Sequence, residues 1–436
     1  MYLRKLSVIS FKNIAQAEVG FIPGVNCLVG DNGAGKTNLL DAIHYLSMSK
    51  SALGMTDAQS LGHGAEFFVV EGDYGHDGQE ERGEKILVSF KPQGGKKLRR
   101  GEKEYPRASE HIGLIPIVIV TPSDSVLVSD EAEQRRRFLN GFLSQTDRDY
   151  LALVVRYNHL MAERNKLLKS YTPAAGEVLE VLDMQLSAAG DAIHARRREL
   201  VERIAPLVEE FYRELSGDSE RVALEYHSQV NEMPTAELLA SRREKDAVMG
   251  FTTGGIHRDD LAMRIGGYPL RKYGSQGQQK SLLVALKLAE YTVLGQACGT
   301  RPILLLDDLF DKLDLQRVER LLGVVCAPGF GQVFISDCNK LRLEELLRRC
   351  GIPHSMLRVV GGAVTVDVPG AVDGPADGAT MDVPGCGGRP PRLARPDGHV
   401  SQSLVVPSSA LGTSTTPEVS NTPATPGAPI KKNAKR

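Results

Sequence analysis

The chain has 436 residues, room for two or three domains around a large core, and 42% of them are hydrophobic. Lys and Arg total 53 against 54 for Asp and Glu, which excludes a general basic field for nucleic acid or an acidic membrane and makes any such binding local. Six cysteines without a C-x-x-C pair or zinc-like His/Cys spacing exclude a disulfide scaffold and a structural zinc site. They read as reduced thiols of a cytoplasmic protein, mostly in core strands and helices.

The chain opens with MYLRKLSVISF, which alternates like a strand and lacks the apolar core of a signal peptide. No apolar run approaches the roughly 18 residues of a membrane span. Strand signals continue through LSVISF, AEVGF and VNCLVG, over residues 2–29. They end at GDNGAGKT, a full G-x-x-x-x-G-K-T comprising Gly30, Asp31, Asn32, Gly33, Ala34, Gly35, Lys36 and Thr37. Leu39, Ile43 and Leu46 then lie on one helical face, so strand, glycine loop and helix follow in the order a phosphate loop needs. Its glycines let backbone N–H groups fold around a β-phosphate, Lys36 reaches β/γ oxygens, and the Thr37 hydroxyl can ligate Mg2+.

Residues 66–120 return to strands at EFFVVEGDY, EKILVSF and IPIVIV, with KPQGGKKLRRGEKEYP between them as an exposed basic hairpin. From 129 to 249 the pattern is helical: Leu179, Leu182, Leu186, Ala189 and Ile193, then Leu200, Ile204, Leu207 and Phe211, recur at threes and fours. This inserted helical lobe is interrupted by one short strand, RVALEYH, at 221–227. Strand signals resume at 251–270. After them come a helix opening at SQGQQ, the strand PILLLDD, a helix near 314–325 and the strand GQVFIS. The expected fold class is therefore α/β: a P-loop ATPase lobe from residues 1–128 and 250–368, a mainly helical insert at 129–249, and a tail at 369–436 rich in Pro, Gly, Ser and Thr and expected to be disordered.

A phosphate loop needs an acidic partner on a neighbouring strand tip, and ILLLDD supplies it. Four apolar residues in a row predict a strand buried on both faces, whose C-terminal end meets the ligand crevice. Asp307 is the candidate for Mg2+ ligation and Asp308 for orienting or deprotonating the attacking water. Helix capping is the competing role for Asp308 and Asp311.

Ser275, Gly277 and Gln278 open the next helix. Ser275 with Gln278 fits a capping box, while Gly274 and Gly277 leave the backbone bare, as where an anion meets a helix start. This Ser-x-Gly-Gln resembles the signature of ATP-binding-cassette ATPases. The resemblance implies that these residues cap the γ-phosphate of ATP bound to a second copy of the chain, in a head-to-tail homodimer.

FKN (Phe11 to Asn13), GDNGAGKTNLLDAI, GIHRDDL (Gly255 to Leu261), YGSQGQQKSLLVALKLAE and PILLLDDLFDKLD occur together in the order typical of the RecF family of SMC-like ATPases. The resemblance covers Met1 to about Val368. It implies Lys12 and Asn13 near the nucleotide and Asp314 in a loop that crosses the dimer interface. It also implies a weak, DNA-stimulated ATPase that binds gapped DNA and single-strand/double-strand junctions. Such a protein works with RecO and RecR to load RecA, within the SOS response to DNA damage. Asp308 stands where transporter cassettes have Glu, one methylene shorter, so slow hydrolysis is expected. No His follows QVFIS; Ser336 or Asp337 occupies the place of a γ-phosphate sensor. Ile256 replaces a common Pro, which predicts a looser turn. A long tail is not usual in the family.

Candidate DNA phosphate contacts are the runs RRR at 135–137, RRR at 196–198, RR at 242–243 and KKLRR at 96–100, each also readable as a solvated face. The chain has no Trp and no aromatic-interleaved stretch, which points to backbone charge rather than base stacking. The alternatives are a transporter's nucleotide-binding subunit, against which the insert and Asp308 speak, and a monomeric P-loop kinase. The length excludes a full SMC protein.

Overall fold

Every residue of Ile303–Leu306 is buried, because this strand lies inside a sheet covered on both faces. In spatial order the sheet runs Ala363–Val366, His354–Val360, Val25–Val29, Val333–Asp337, Ile303–Leu306, Ile117–Val120. All neighbours are parallel except the edge pair formed by the first two. The register sets Val29 beside Asp337 and Leu306 beside Ile335. Three carboxyl ends therefore stand side by side: the one leading into Gly30, the one carrying Ser336, and the one ending at Asp307 and Asp308. In an open α/β sheet that edge is where a ligand crevice forms.

Strand alternation splits the core in two. Leu28, Ile303, Leu305, Phe334 and Leu357 pack with the first helix and a second sheet, whereas Val29, Leu304, Leu306 and Ile335 pack with the helical layer. The second sheet is antiparallel, ordered Ile14–Gly20, Tyr2–Phe11, Phe68–His76, Gln79–Lys91, Gly95–Arg100, Lys103–Glu104. The expected basic hairpin is its outer edge.

The computed structural model describes residues 1–366 apart from 77–78, 130–131, 171–175, 218–219, 311–312 and 328. The tail expected at 369–436, and the Asp311 candidate cap, lie outside the described residues. The helical layer comprises Ala132–Thr146, Arg148–Lys169, Gly176–Ser216 and Thr235–Met249. Leu179, Leu186, Ala189, Ile193, Leu200 and Ile204 of the expected stripe are buried. Asp147 starts the second of these helices, its side chain accepting from the N–H groups of Asp149 and Tyr150. Arg164, fully buried, clasps three segments: it donates to Asp183 at 2.6 Å, Asp246 at 2.7 Å and Thr252 at 2.8 Å.

The strand Val222–His227 pairs with Asp260–Ile265 in a three-stranded sheet, so hydrogen bonds cross the expected boundary at residue 249. Ahead of it, Ile256–Arg258 forms a 3-10 turn. Ile256, where a looser turn was expected, is buried, and its carbonyl accepts from Arg197 at 2.9 Å. Among the described cysteines only Cys27 is buried, while Cys338 and Cys350 are exposed, which corrects the expectation of mostly core thiols. Among the described residues no helix is long and apolar enough to cross a membrane.

Candidate functional site

The glycine loop bends between Val25–Val29 and the helix Lys36–Met48. A Cβ on Gly30 would stand 2.2 Å from the Val359 carbonyl oxygen, so a side chain there would push the loop off the sheet. Gly35, at the helix start, has φ 113°, a left-handed conformation that glycine tolerates. The Lys36 ammonium donates to the carbonyls of Gly30 (2.6 Å) and Asp31 (2.9 Å), which holds it over the loop. Asn13 flanks the loop: its Oδ1 accepts from Asn38 at 2.7 Å and its Nδ2 donates to the Gly33 carbonyl at 3.5 Å. Lys12 points elsewhere. Its ammonium forms a buried pair with Asp41 of that helix at 2.6 Å, and its backbone turns at φ 54°. The Gly362 N–H, donating to the Ala34 carbonyl at 2.8 Å, pins the loop from the far end of the chain.

Asn32, Gly33, Gly35, Lys36, Thr37, Asn38, Asp307 and Asp308 line one cleft of about 130 Å³. Within it the Thr37 hydroxyl donates to Asp307 Oδ1 at 3.1 Å. Ser336, on the intervening strand, also donates to Asp307 Oδ1, at 2.6 Å, and accepts from the Asp308 N–H at 2.9 Å. Of the two candidates for the sensor position, Ser336 thus faces the site. Asp337 turns to Arg342 at 2.8 Å.

Burial pushes the Asp307 carboxyl above its ordinary value, and the Ser336 and Thr37 hydroxyls pull it partly back. A buried carboxylate beside a hydroxyl is a hard-oxygen donor pair. Among the described residues no group of three or more His, Cys, Asp or Glu could hold a metal. That set fits Mg2+, which is usually held through one or two protein oxygens together with substrate phosphates. Asp308 has φ 45°, rare for a residue with a side chain and the kind of local strain that gathers at functional sites.

The signature residues lie apart from this cleft, and none of Ser275, Gly277 or Gln278 lines it. The capping box is formed: Ser275 Oγ accepts from the Gln278 N–H at 3.2 Å, and Gln278 Oε1 accepts from the Ser275 N–H at 2.6 Å. It opens the helix Gln276–Cys298, buried on almost every face from Ser281 to Leu294, including the expected Leu282, Leu286, Ala289 and Val293. Sequence reasoning missed Glu220, whose carboxylate accepts from the Gln278 amide and from the Tyr212 hydroxyl, tying the signature turn to the longest helix. Nothing local signals a partner 58 residues away. Asp314 caps the helix Leu315–Val325, accepting from the Arg317 N–H at 2.9 Å.

Most residues of the basic runs pair with acceptors of the same chain. Arg135 binds Asp260 (2.6 Å), Arg136 the Asp259 carbonyl (2.7 Å), Arg196 Asp147 (2.7 Å) and Arg197 Asp259 (2.8 Å). Arg243 pairs with Glu180 and Asp183, Arg137 with Glu133, and Arg198 with Glu202. In the hairpin, Lys96 meets Asp57, Lys97 and Arg99 meet Glu104, and Arg100 meets Glu84. Lys103, Arg107 and Arg148, outside those runs, line a groove of about 1130 Å³ between the hairpin and the helix Arg148–Lys169.

A family model described as the RecF/RecN/SMC N terminal domain matches residues 2–356. The DNA replication and repair protein RecF of Parabacteroides distasonis is 45% identical over 364 residues, 84% of this chain and 99% of that protein. The RecF of Bacteroides thetaiotaomicron is 41% identical, over 84% of this chain and 98% of its own. Among solved structures, that of the recombination mediator protein RecF with ATP in the RecFOR pathway superposes with a TM-score of 0.74 at 27% identity, covering 84% of this chain and 98% of that one. An Smc head bound to the C-winged helix domain of ScpA, at 15% identity and a TM-score of 0.51, shares the fold.

Proposed function

Because the chain belongs to the RecF family of SMC-like, ABC-type ATPases, we propose that it is an ATP-dependent DNA-binding protein of replication and recombinational repair, dimerising around nucleotide in the cytoplasm. The observation that carries the reading is the 3.1 Å hydrogen bond from Thr37 to Asp307, which joins the phosphate loop to the acidic strand tip. That pairing suits a nucleoside triphosphate better than a phosphate ion alone.

In this reading the N–H groups of Gly30 to Gly35 surround the β-phosphate. Lys36 exchanges the carbonyls of Gly30 and Asp31 for β/γ oxygens. Asn13 holds the loop's shape, and Lys12 supports it through its turn. Thr37 and Asp307 would hold Mg2+, which supplies charge neutralisation across the β- and γ-phosphates. Asp308 accepts a hydrogen bond from the attacking water and orients it in line with the γ-phosphorus. Water oxygen bonds to phosphorus as the bond to the β–γ bridging oxygen breaks, and the water's proton passes to Asp308 or to solvent. Ser275, the Gly277 N–H and Gln278 of the second copy cap the γ-phosphate, so hydrolysis removes the group that bridges the copies.

DNA binds through backbone charge, with Lys103, Arg107 and Arg148 among the groove's cations that contact phosphate. The dimer engages gapped DNA or single-strand/double-strand junctions and acts with RecO and RecR to load RecA in the SOS response. Slow, DNA-stimulated hydrolysis resets it.

The test is sedimentation velocity with ATP, with and without a gapped duplex. Wild-type protein dimerises with ATP and the dimer carries the duplex. Ser275→Ala stays monomeric, Lys36→Ala loses nucleotide, and Asp308→Asn dimerises but rarely turns over. Normal dimerisation of Ser275→Ala would remove the trans-capping role.

A further inference from the structure

We propose that Arg317 is a second group, beside Ser275, through which one copy of the chain grips the γ-phosphate held by the other; the inference rests on the dimer reading above. Arg317 lies in the first turn of the helix Leu315–Val325, three residues after the Asp314 cap. Its side chain folds back across the signature. A Cβ on Gly277 would stand 2.7 Å from Arg317 Nη1, so the glycine makes room for a guanidinium. Only 21% of the Arg317 side chain is exposed.

Three observations make this an anion site that still needs its anion. A cation at the N-terminus of a helix faces the positive end of the dipole, the reverse of the stabilising arrangement. The local counterion is weak: Asp314 Oδ2 lies 3.4 Å from Nε, its side chain is 58% exposed, and its other oxygen is engaged in capping. Neither Nη atom has a hydrogen-bond partner among the described residues. A planar fork whose two Nη atoms are open among the described residues, lying against the glycine of the Ser-x-Gly-Gln turn, matches a terminal phosphoryl group with its three oxygens. Glu220 accepts from the Gln278 amide, so that side chain is held within its own copy.

The experiment compares wild type, Ser275→Ala, Arg317→Met and Arg317→Lys by sedimentation velocity over a range of ATP and of ADP, with binding of fluorescent mant-ADP to dilute protein as the control for fold and own-site binding. Arg317→Met keeps the bulk beside Gly277 and removes the charge. It is expected to raise the ATP concentration for half-dimerisation about tenfold or more, as for loss of a hydrogen bond to a charged group, with mant-ADP binding within about twofold of wild type. Arg317→Lys recovers part of that loss, because a point charge replaces a fork. Arg317→Met dimerising like wild type while Ser275→Ala fails overturns the role of Arg317 alone. Should Ser275→Ala dimerise normally, the trans-capping role falls and this inference with it; should wild type stay monomeric with ATP, the dimer reading itself falls. Loss of mant-ADP binding in both Arg317 variants assigns the residue to folding and also overturns the proposal.

Discussion

Asp307 meets two opposed demands. The residue is 2% exposed and burial raises its pKa, so ionising it within the fold costs free energy. A carboxyl whose folded value lies above its unfolded one weakens the fold as pH rises through that window. Asp307→Asn keeps the Oδ1 acceptor for Ser336 and Thr37 and removes the charge. It should raise the melting temperature of nucleotide-free protein by a few degrees while abolishing Mg2+-dependent ATP binding, which calorimetry with and without MgATP checks. His257 runs the other way. Burial lowers it to about 4, its ring bonded to the Tyr157 hydroxyl at 3.0 Å and the Thr252 carbonyl at 3.1 Å. The unfolded chain takes up this proton near 6.5 and the fold only near 4, so stability falls as pH drops through that range. His257→Gln should flatten the loss in melting temperature between pH 7 and pH 5. At this scale the glycine loop and both aspartates were legible because each residue type is dictated by the phosphate chemistry. The arginines were not, since a run of like charges gives no sign of which carboxylates fold against it.

Among the elements, the helices Arg148–Lys169, Gly176–Ser216 and Thr235–Met249 are joined by one buried cation. Arg164 meets carboxylates from two of its neighbours, Asp183 and Asp246, both deep in the layer. Removing it leaves Asp246 without its cation and Asp183 with Arg243 alone, and loss of one partner of a buried pair costs about 3–5 kcal/mol. Arg164→Met should therefore shift the urea midpoint downward by that stability, with nucleotide affinity per folded molecule retained. Apolar periodicity reveals the helices themselves, because a stripe at threes and fours has one physical reading. It does not reveal that Gln276–Cys298 is enclosed on nearly every side, nor that Val222–His227 pairs beyond the insert. Both depend on which elements arrive from elsewhere in the chain.

For the molecule as a whole, charge balance conceals a local asymmetry. Lys103, Arg107 and Arg148 come from two elements that meet only in the fold, at the groove of about 1130 Å³. If they contact phosphates, reversing all three to Glu should weaken duplex binding and lower the slope of log K against log salt by roughly 2 to 3, at about 0.9 per lost contact, without altering mant-ATP binding. Fluorescence anisotropy across a salt series reads both quantities. An unchanged slope would place the DNA elsewhere. The primary structure by itself pointed to nucleotide chemistry: a phosphate loop and a strand ending in two carboxylates, each a short local motif whose residue types admit few substitutes. It also revealed most helices and strands up to the strand GQVFIS, but not the helix Lys340–Arg349 or the strands His354–Val360 and Ala363–Val366. Only the tertiary structure decided that Ser336 bonds Asp307 while Asp337 turns to Arg342, that Lys12 belongs to a buried ion pair, and that most residues of the basic runs have partners in the same chain. The physical reason is the same in each case. A side chain's partner is set by packing, and many of the deciding neighbours, such as Lys12 and Asp41 or Arg197 and Asp259, lie tens of residues apart along the chain.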